Sequence, residues 1–227
     1  MRWWAEVSSE HSELTDLILL FNDSKADIVT GESEILVGDG VIEEILLGKR
    51  FVIRPKSFVQ VNTYTAEKLY QCVRDSIQHP GGKLLDLYGG TGTIGLILSD
   101  LYESVISVEY SESSSADAQV NADLNGIKHF EAINAKVEDV LEEGKYQGAN
   151  TIVIDPPREG MHPKALETIA QFEAREIIYV SCNPATLARD LEHLITQTSY
   201  RVTDITPVDM FAHTHHIETV VRLERVD

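Results

Sequence analysis

The chain has 227 residues, 43% of them hydrophobic and 25% charged, enough to bury the core of one large domain or of one domain with a small appendage. Its 37 acidic side chains against 19 basic ones give a formal net charge of −18, which argues against a bulk electrostatic grip on nucleic acid. We find no bilayer-spanning apolar run, secretory signal or lipidation motif, and two cysteines are too few for a disulfide framework, so a reducing cytoplasm is expected.

The pattern over residues 1–58 is irregular and predicts a small α+β unit. Residues 2–7 read as a strand. Ser9 is placed to cap a helix over 10–21, with Leu14, Leu17, Ile18 and Phe21 on one face. Short β-like pieces follow at 27–30, 34–37, 41–47 and 51–54, separated by glycine-containing turns. The stretch "GKRFVIRPKSF" holds Lys49, Arg50, Arg54 and Lys56. These read either as solvated charges flanking an edge strand or as a small phosphate-facing patch.

From residue 64 the pattern alternates. A helix over 64–77 is followed by strand 83–88, helix 92–101, strand 104–109, helix 111–125, a weaker strand 130–133 and helix 137–142. Then come strand 151–155, helix 163–172, strand 176–181, helix 184–196 and two consecutive strands, 200–206 and 216–224. Alternation with apolar strands predicts an α/β domain over 59–227, a mostly parallel sheet covered on both faces with an antiparallel last strand.

"LLDLYGGTGTIGL" joins a strand to a helix through a glycine turn, and Gly90 to Gly95 fit G-x-G-x-x-G. Such a turn brings backbone N–H groups to a ligand at a helix N-terminus. Glu109 ends the next strand, where an acid binds ribose hydroxyls. The motif serves a dinucleotide dehydrogenase and an S-adenosylmethionine enzyme equally well. "IVIDPPREG" separates them. Asp155-Pro156-Pro157-Arg158 ends a strand in a rigid extended segment at the ligand-binding edge of the sheet. A dehydrogenase has no evident use for it, whereas a methyltransferase acting on planar rings has a pocket wall to build there.

Cys182, in "YVSCNPATLARD", lies at the end of the following strand. Asn183 is a candidate N-cap and Pro184 a first helical residue, so the sulfur is expected near a positive helix end that favours thiolate. Thiolate addition to carbon 6 of uracil makes carbon 5 nucleophilic, and a base must later remove the carbon-5 proton. Glu218, in the apolar setting of Ile217, Val220 and Val221, is a candidate base whose pKa burial would raise. The neighbouring His213, His215 and His216 lack a partner set, so no metal is expected.

Together these segments resemble the RNA uracil-5-methyltransferase family, which makes 5-methyluridine in tRNA and ribosomal RNA. The matching stretches are "FVQVN", "DLYGGTGTIG", "SVEYS", "DPPREG", "VSCNPATLARD" and "HTHHIETV". The resemblance implies a Rossmann-like class I S-adenosylmethionine fold, an RNA substrate (rRNA or tRNA) and no membrane. It implies Cys182 as nucleophile and Glu218 as base. It assigns Gln60, Tyr88, Thr93, Glu109 and Asp155 to S-adenosylmethionine, beside Gly90 of the turn. The chain departs from the family in lacking an N-terminal oligonucleotide-binding barrel and iron–sulfur cysteines, and Gly89 stands where many relatives carry cysteine. A separate RNA-binding domain or protein is therefore an expected partner. Two other readings stay open: a partner-dependent, non-catalytic S-adenosylmethionine-binding module and a nicotinamide-dependent oxidoreductase.

Overall fold

The computed structural model describes residues 2–23, 31–144, 146–169 and 171–226. Its first elements are helix α1 (Arg2–Glu10) and strands β1 (Leu17–Phe21), β2 (Glu32–Val37), β3 (Ile42–Leu46) and β4 (Lys49–Ile53). Two expectations are corrected here. Residues 2–7, expected as a strand, are helical, and Ser9 lies inside α1, its hydroxyl donating to the Glu6 carbonyl 2.7 Å away rather than capping a new helix. The helix expected over 10–21 is absent. Thr15-Asp16 lies outside any helix, and Asp16 accepts from the distant Gly40 N–H at 2.7 Å, after the end of β2. The run Leu17–Phe21 then pairs antiparallel with β2. A short continuous apolar run satisfies either period, and the cross-strand partner decided it. The strand expected at 27–30 lies outside the described residues.

β3 and β4 form a hairpin closed by Leu47-Gly48, with φ of 48° and 77°, the left-handed pair of a two-residue turn. Leu46 and Phe51 of this hairpin are buried in the core of the main sheet.

That sheet has the order β10-β11-β9-β8-β5-β6-β7. Its members are β5 (Lys83–Leu87), β6 (Ser104–Glu109), β7 (Phe130–Asn134), β8 (Thr151–Ile154), β9 (Glu176–Ser181), β10 (Tyr200–Val208) and β11 (Glu218–Arg225). β5 to β9 run parallel, while β11 lies antiparallel to both β9 and β10. The helices are α2 (Thr63–Ser76), α3 (Thr93–Leu98), α4 (Glu112–Leu124), α5 (Val137–Glu142), α6 (Pro163–Ile169) and α7 (Pro184–Gln197). The expected α/β alternation and antiparallel last strand are observed. No helix among the described residues is long and apolar enough to cross a membrane.

The two faces of the sheet have separate cores. Leu84, Val105, Val153, Ile178, Val180 and Val220 point to the side covered by α2, α3 and α4. Leu85, Leu87, Ile152, Ile154, Ile177 and Tyr179 point to the side covered by α5, α6 and α7. Alternate strand residues face opposite sides, so strand parity tells on which side each chemistry-bearing residue stands.

Candidate active site

By that parity Asp86 shares the α2 side with Leu84, Asp155 with Val153, Cys182 with Val180 and Glu218 with Val220. The parallel strands β5, β6, β8 and β9 end at one edge. β11 begins at that edge because it runs the other way, with Thr219 opposite Ser181. The topology thus gathers Tyr88, Gly90, Glu109, Asp155, Cys182 and Glu218 from five strand ends.

The glycine turn follows β5 directly. Tyr88 sits at φ 61° and Gly90 at φ 55°; the left-handed region costs a non-glycine residue energy, and such strain collects at ligand sites. The Tyr88 ring packs on the α5–α7 side, its hydroxyl accepts a long bond from the His162 N–H at 3.5 Å, and burial pushes the phenol up to about 12. Thr93 opens α3 and its hydroxyl lies 3.2 Å from that of Thr91. The Glu109 carboxylate accepts from the Gly90 N–H at 3.1 Å and the Ser111 N–H at 2.7 Å, which leaves each oxygen a free lone pair toward solvent.

Asp86 is completely buried. Its Oδ2 accepts from Gly95 N–H at 3.2 Å and Ser107 Oγ at 3.0 Å, while Oδ1 has no partner. Burial raises its carboxyl to about 7 against those two hydrogen bonds, with Glu109 adding like-charge repulsion. A Cβ on Gly89 would come within 2.0 Å of Ser107 Oγ, so a glycine is needed here for space beside Ser107 and Asp86.

Cys182 is partly buried between β9 and α7. Asn183 caps α7, accepting from Ala185 N–H at 3.1 Å, and Pro184 is its first residue. The helix end alone would favour thiolate, but the balance is opposite. Burial pushes the thiol up, the Glu218 and Asp155 carboxylates add to it, and only Arg158 acts strongly the other way. Glu218 is itself raised by burial, against the opposing pull of Arg158. Asp155 is pushed up to about 8 by burial, then by Glu218 and Asp86. The site is therefore a set of mutually repelling carboxylates around a thiol, answered by one guanidinium.

The loop carrying Asp155 and Arg158 is stitched to α7. The Arg158 carbonyl accepts from Asn183 Nδ2 at 3.0 Å and Thr186 Oγ1 at 3.1 Å. Buried Asp190 accepts from the Met161 N–H at 2.8 Å and the Tyr179 hydroxyl at 2.6 Å, and pairs with Arg189 at 2.7 Å. Gln60 lies in the extended segment before α2. Asn62 and Thr65 tie this segment to the Met210 carbonyl at 3.4 and 3.1 Å, ahead of β11 and Glu218. Of the basic cluster, Arg50 pairs with Glu43 and Arg54 with buried Asp117. Among the described residues no group of three or more His, Cys, Asp or Glu side chains is arranged to hold a metal.

Sequence reasoning assigned no role to Arg158, Asp86 or Tyr70. Arg158 stood inside a quoted motif. Asp86 could have been found as the one acid in an otherwise apolar strand interior, whereas Tyr70 on a helix's apolar face carried no such signal.

Three comparisons bear on this geometry. Residues 31–226 match the family model described as tRNA (Uracil-5-)-methyltransferase. Uncharacterized RNA methyltransferases of Clostridium tetani and of Caldanaerobacter subterraneus subsp. tengcongensis are 44% and 43% identical to the chain. Each match covers 94% of this chain, and 47% and 48% of the respective relative. The crystal structure of Pyrococcus abyssi tRNA (uracil-54, C5)-methyltransferase in complex with S-adenosyl-L-homocysteine superposes with a TM-score of 0.81 at 32% identity. That superposition covers 95% of this chain and 52% of that one. The chain spans about half the length of the relatives it matches.

Proposed function

Since the chain belongs to the tRNA (uracil-5-)-methyltransferase family, we propose that it methylates carbon 5 of a uridine in RNA, in a tRNA or an rRNA, to give 5-methyluridine. The observation that carries this reading is the meeting of Cys182, Glu218, Asp155 and Arg158 at one sheet edge, beside a glycine turn. Its division of labour is a small α+β unit over 1–58 serving a catalytic domain over 59–227, with Leu46 and Phe51 lending two apolar side chains to the catalytic core.

The residues present fit S-adenosylmethionine. Gly90 leaves open space where a Cβ would stand, Glu109 keeps lone pairs free beside it, and Asp86 Oδ1 is a buried acceptor without a partner. Gln60, Tyr88, Gly90, Thr93, Glu109 and Asp155 would hold it, and it supplies an electrophilic methyl group on a sulfonium.

The chain's own residues do the rest. The Cys182 thiolate adds to carbon 6, forming a carbon–sulfur bond and pushing the ring π electrons onto the carbon-4 oxygen as an enolate. Carbon 5 would then take the methyl group as the methyl–sulfonium bond breaks, its electron pair leaving on sulfur as a neutral thioether. Glu218, held neutral less easily than a buried acid alone because Arg158 faces it, takes the carbon-5 proton as the carbon–sulfur bond breaks and the thiolate returns. Arg158 supplies the positive charge that eases thiol ionisation.

RNA carrying 5-fluorouridine tests this, because fluorine cannot leave as a proton does. Mixed with S-adenosylmethionine, the protein is expected to give a covalent complex on denaturing gels that maps to Cys182, and Cys182→Ala is expected to bind S-adenosylmethionine but give no complex. Methylation retained by Cys182→Ala would defeat the reading.

A further inference from the structure

Tyr70, on α2, is 6% exposed. It packs in one cluster with Leu84, Val153, Val180, Met210 and Val220. Leu84, Val153, Val180 and Val220 each stand two residues from Asp86, Asp155, Cys182 or Glu218 on the same side of the sheet. Helical side chains lean toward their own N-terminus. The N-terminus of α2 is tied to the Met210 carbonyl, ahead of β11, so the ring leans toward the catalytic edge.

Buried tyrosines normally spend their hydroxyl on a partner. Tyr102 donates to Thr151 at 2.9 Å, Tyr179 to Asp190 at 2.6 Å and Tyr200 to the Ala174 carbonyl at 2.6 Å. Tyr70 has no such bond among the described residues. Its charged neighbours are Asp155, Glu218 and Asp86, all acids, and a phenol held protonated by burial can only donate to them. Cys182, Arg158 and Glu109 are further charged or titratable groups at this edge.

We propose that Tyr70 is a positioning residue, the hydrogen-bond donor on the buried side of the Asp155–Glu218 pair, which reaches Asp155 through one bridging water and stabilises its ionised form. With Asp155 satisfied in this way, Glu218 does not have to share a proton with it and stays available for the carbon-5 proton. The role for Glu218 rests on the methylation reading above; the donation to Asp155 does not.

The test is a carbon-13 titration of the protein labelled at its aspartate carboxyls, with the Asp155 signal assigned through Asp155→Asn. A hydrogen bond to the charged form lowers a carboxyl pKa. Tyr70→Phe, which keeps the ring volume, is expected to raise the Asp155 midpoint by at least about half a unit relative to the native protein. Tyr102→Phe, which loses a buried hydroxyl at the opposite edge, is expected to leave Asp155 unmoved. An unchanged midpoint in Tyr70→Phe, or an equal shift in Tyr102→Phe, would overturn the assignment. The 5-fluorouridine complex separates the two ideas. Its absence from the native protein, with the Asp155 shift present, sinks the methylation reading and leaves the Tyr70 donor standing.

Discussion

At the residue scale the site is governed by buried carboxylates. Asp86 shows the consequence most simply, because it is fully buried and its two hydrogen bonds do not offset the loss of water. Its folded pKa of about 7 lies above the ordinary 3.8. Between those values the native state keeps a proton that the unfolded state has released. The contribution of Asp86 is thus favourable at low pH and is lost as pH rises through 7. Asp86→Asn keeps an acceptor for Gly95 and Ser107 and puts an amide where the carboxyl proton stood. It is expected to raise Tm less at pH 5, where the penalty has only begun to build up, than at pH 8.5, where it is complete, by about 2–4 °C for each kcal/mol of charge burial removed. Thermal melts at the two pH values check this, and an equal gain at both would mean that charge is not the cause. The same reasoning corrects the thiol. Proximity to a helix N-terminus favours thiolate, yet burial and two nearby acids outweigh it at Cys182, which makes Arg158 a necessary part of any nucleophilic role.

Among the elements, α4 holds parts that are far apart in sequence. Its Asn121 accepts from the Val52 N–H at 2.8 Å and donates to the Thr91 carbonyl at 3.1 Å. One turn on, Asn125 accepts from Arg50 N–H at 2.9 Å and donates to its carbonyl at 2.7 Å. Side chains four apart on a helix share a face, so these amides act as a partner for the open edge of β4 while one of them also holds the glycine turn. Asn121→Ala is expected to cost about 1–3 kcal/mol, since it strands a buried carbonyl and a strand N–H. Hydrogen exchange would show it as lost protection at Val52, with β8 and β9 still protected. Uniform loss across all strands would assign Asn121 to global stability instead. The first two elements show the other side of tertiary control. The run Leu17–Phe21 is compatible with helix or strand, and β2 made it a strand.

For the whole molecule, charge bears on how the proposed RNA substrate would be held. The net charge is −18, and Arg50 and Arg54 are engaged by Glu43 and Asp117, so within the basic cluster Lys49 and Lys56 are the two cations with no ion pair among the described residues. Each phosphate neutralised on a single strand contributes about 0.7 to the log–log salt slope, so Lys49 and Lys56 together are expected to account for a slope of about −1.4. Filter binding of single-stranded RNA across a salt series, with the two lysines replaced by glutamine, measures their share. An unchanged slope in that variant would place the phosphate contacts outside this cluster.

The elements from α2 onward were legible because apolar periodicity is a local property, and the strand, glycine turn and helix around Gly90 carry their signal in adjacent residues. Cys182, Glu218 and Asp155 could be singled out for the same reason, each standing in a short distinctive run at a strand end, and the structure brings the three together without testing their roles. What the chain could not show by itself was everything that depends on a neighbour distant in sequence. The first two elements, the pairing of Arg54 with Asp117, the raised thiol and the unpartnered hydroxyl of Tyr70 all follow from burial and from charges brought together across the sheet. A sequence determines which residues are apolar, flexible or ionisable, but desolvation and Coulomb energy depend on distances between side chains, and only the tertiary structure sets those.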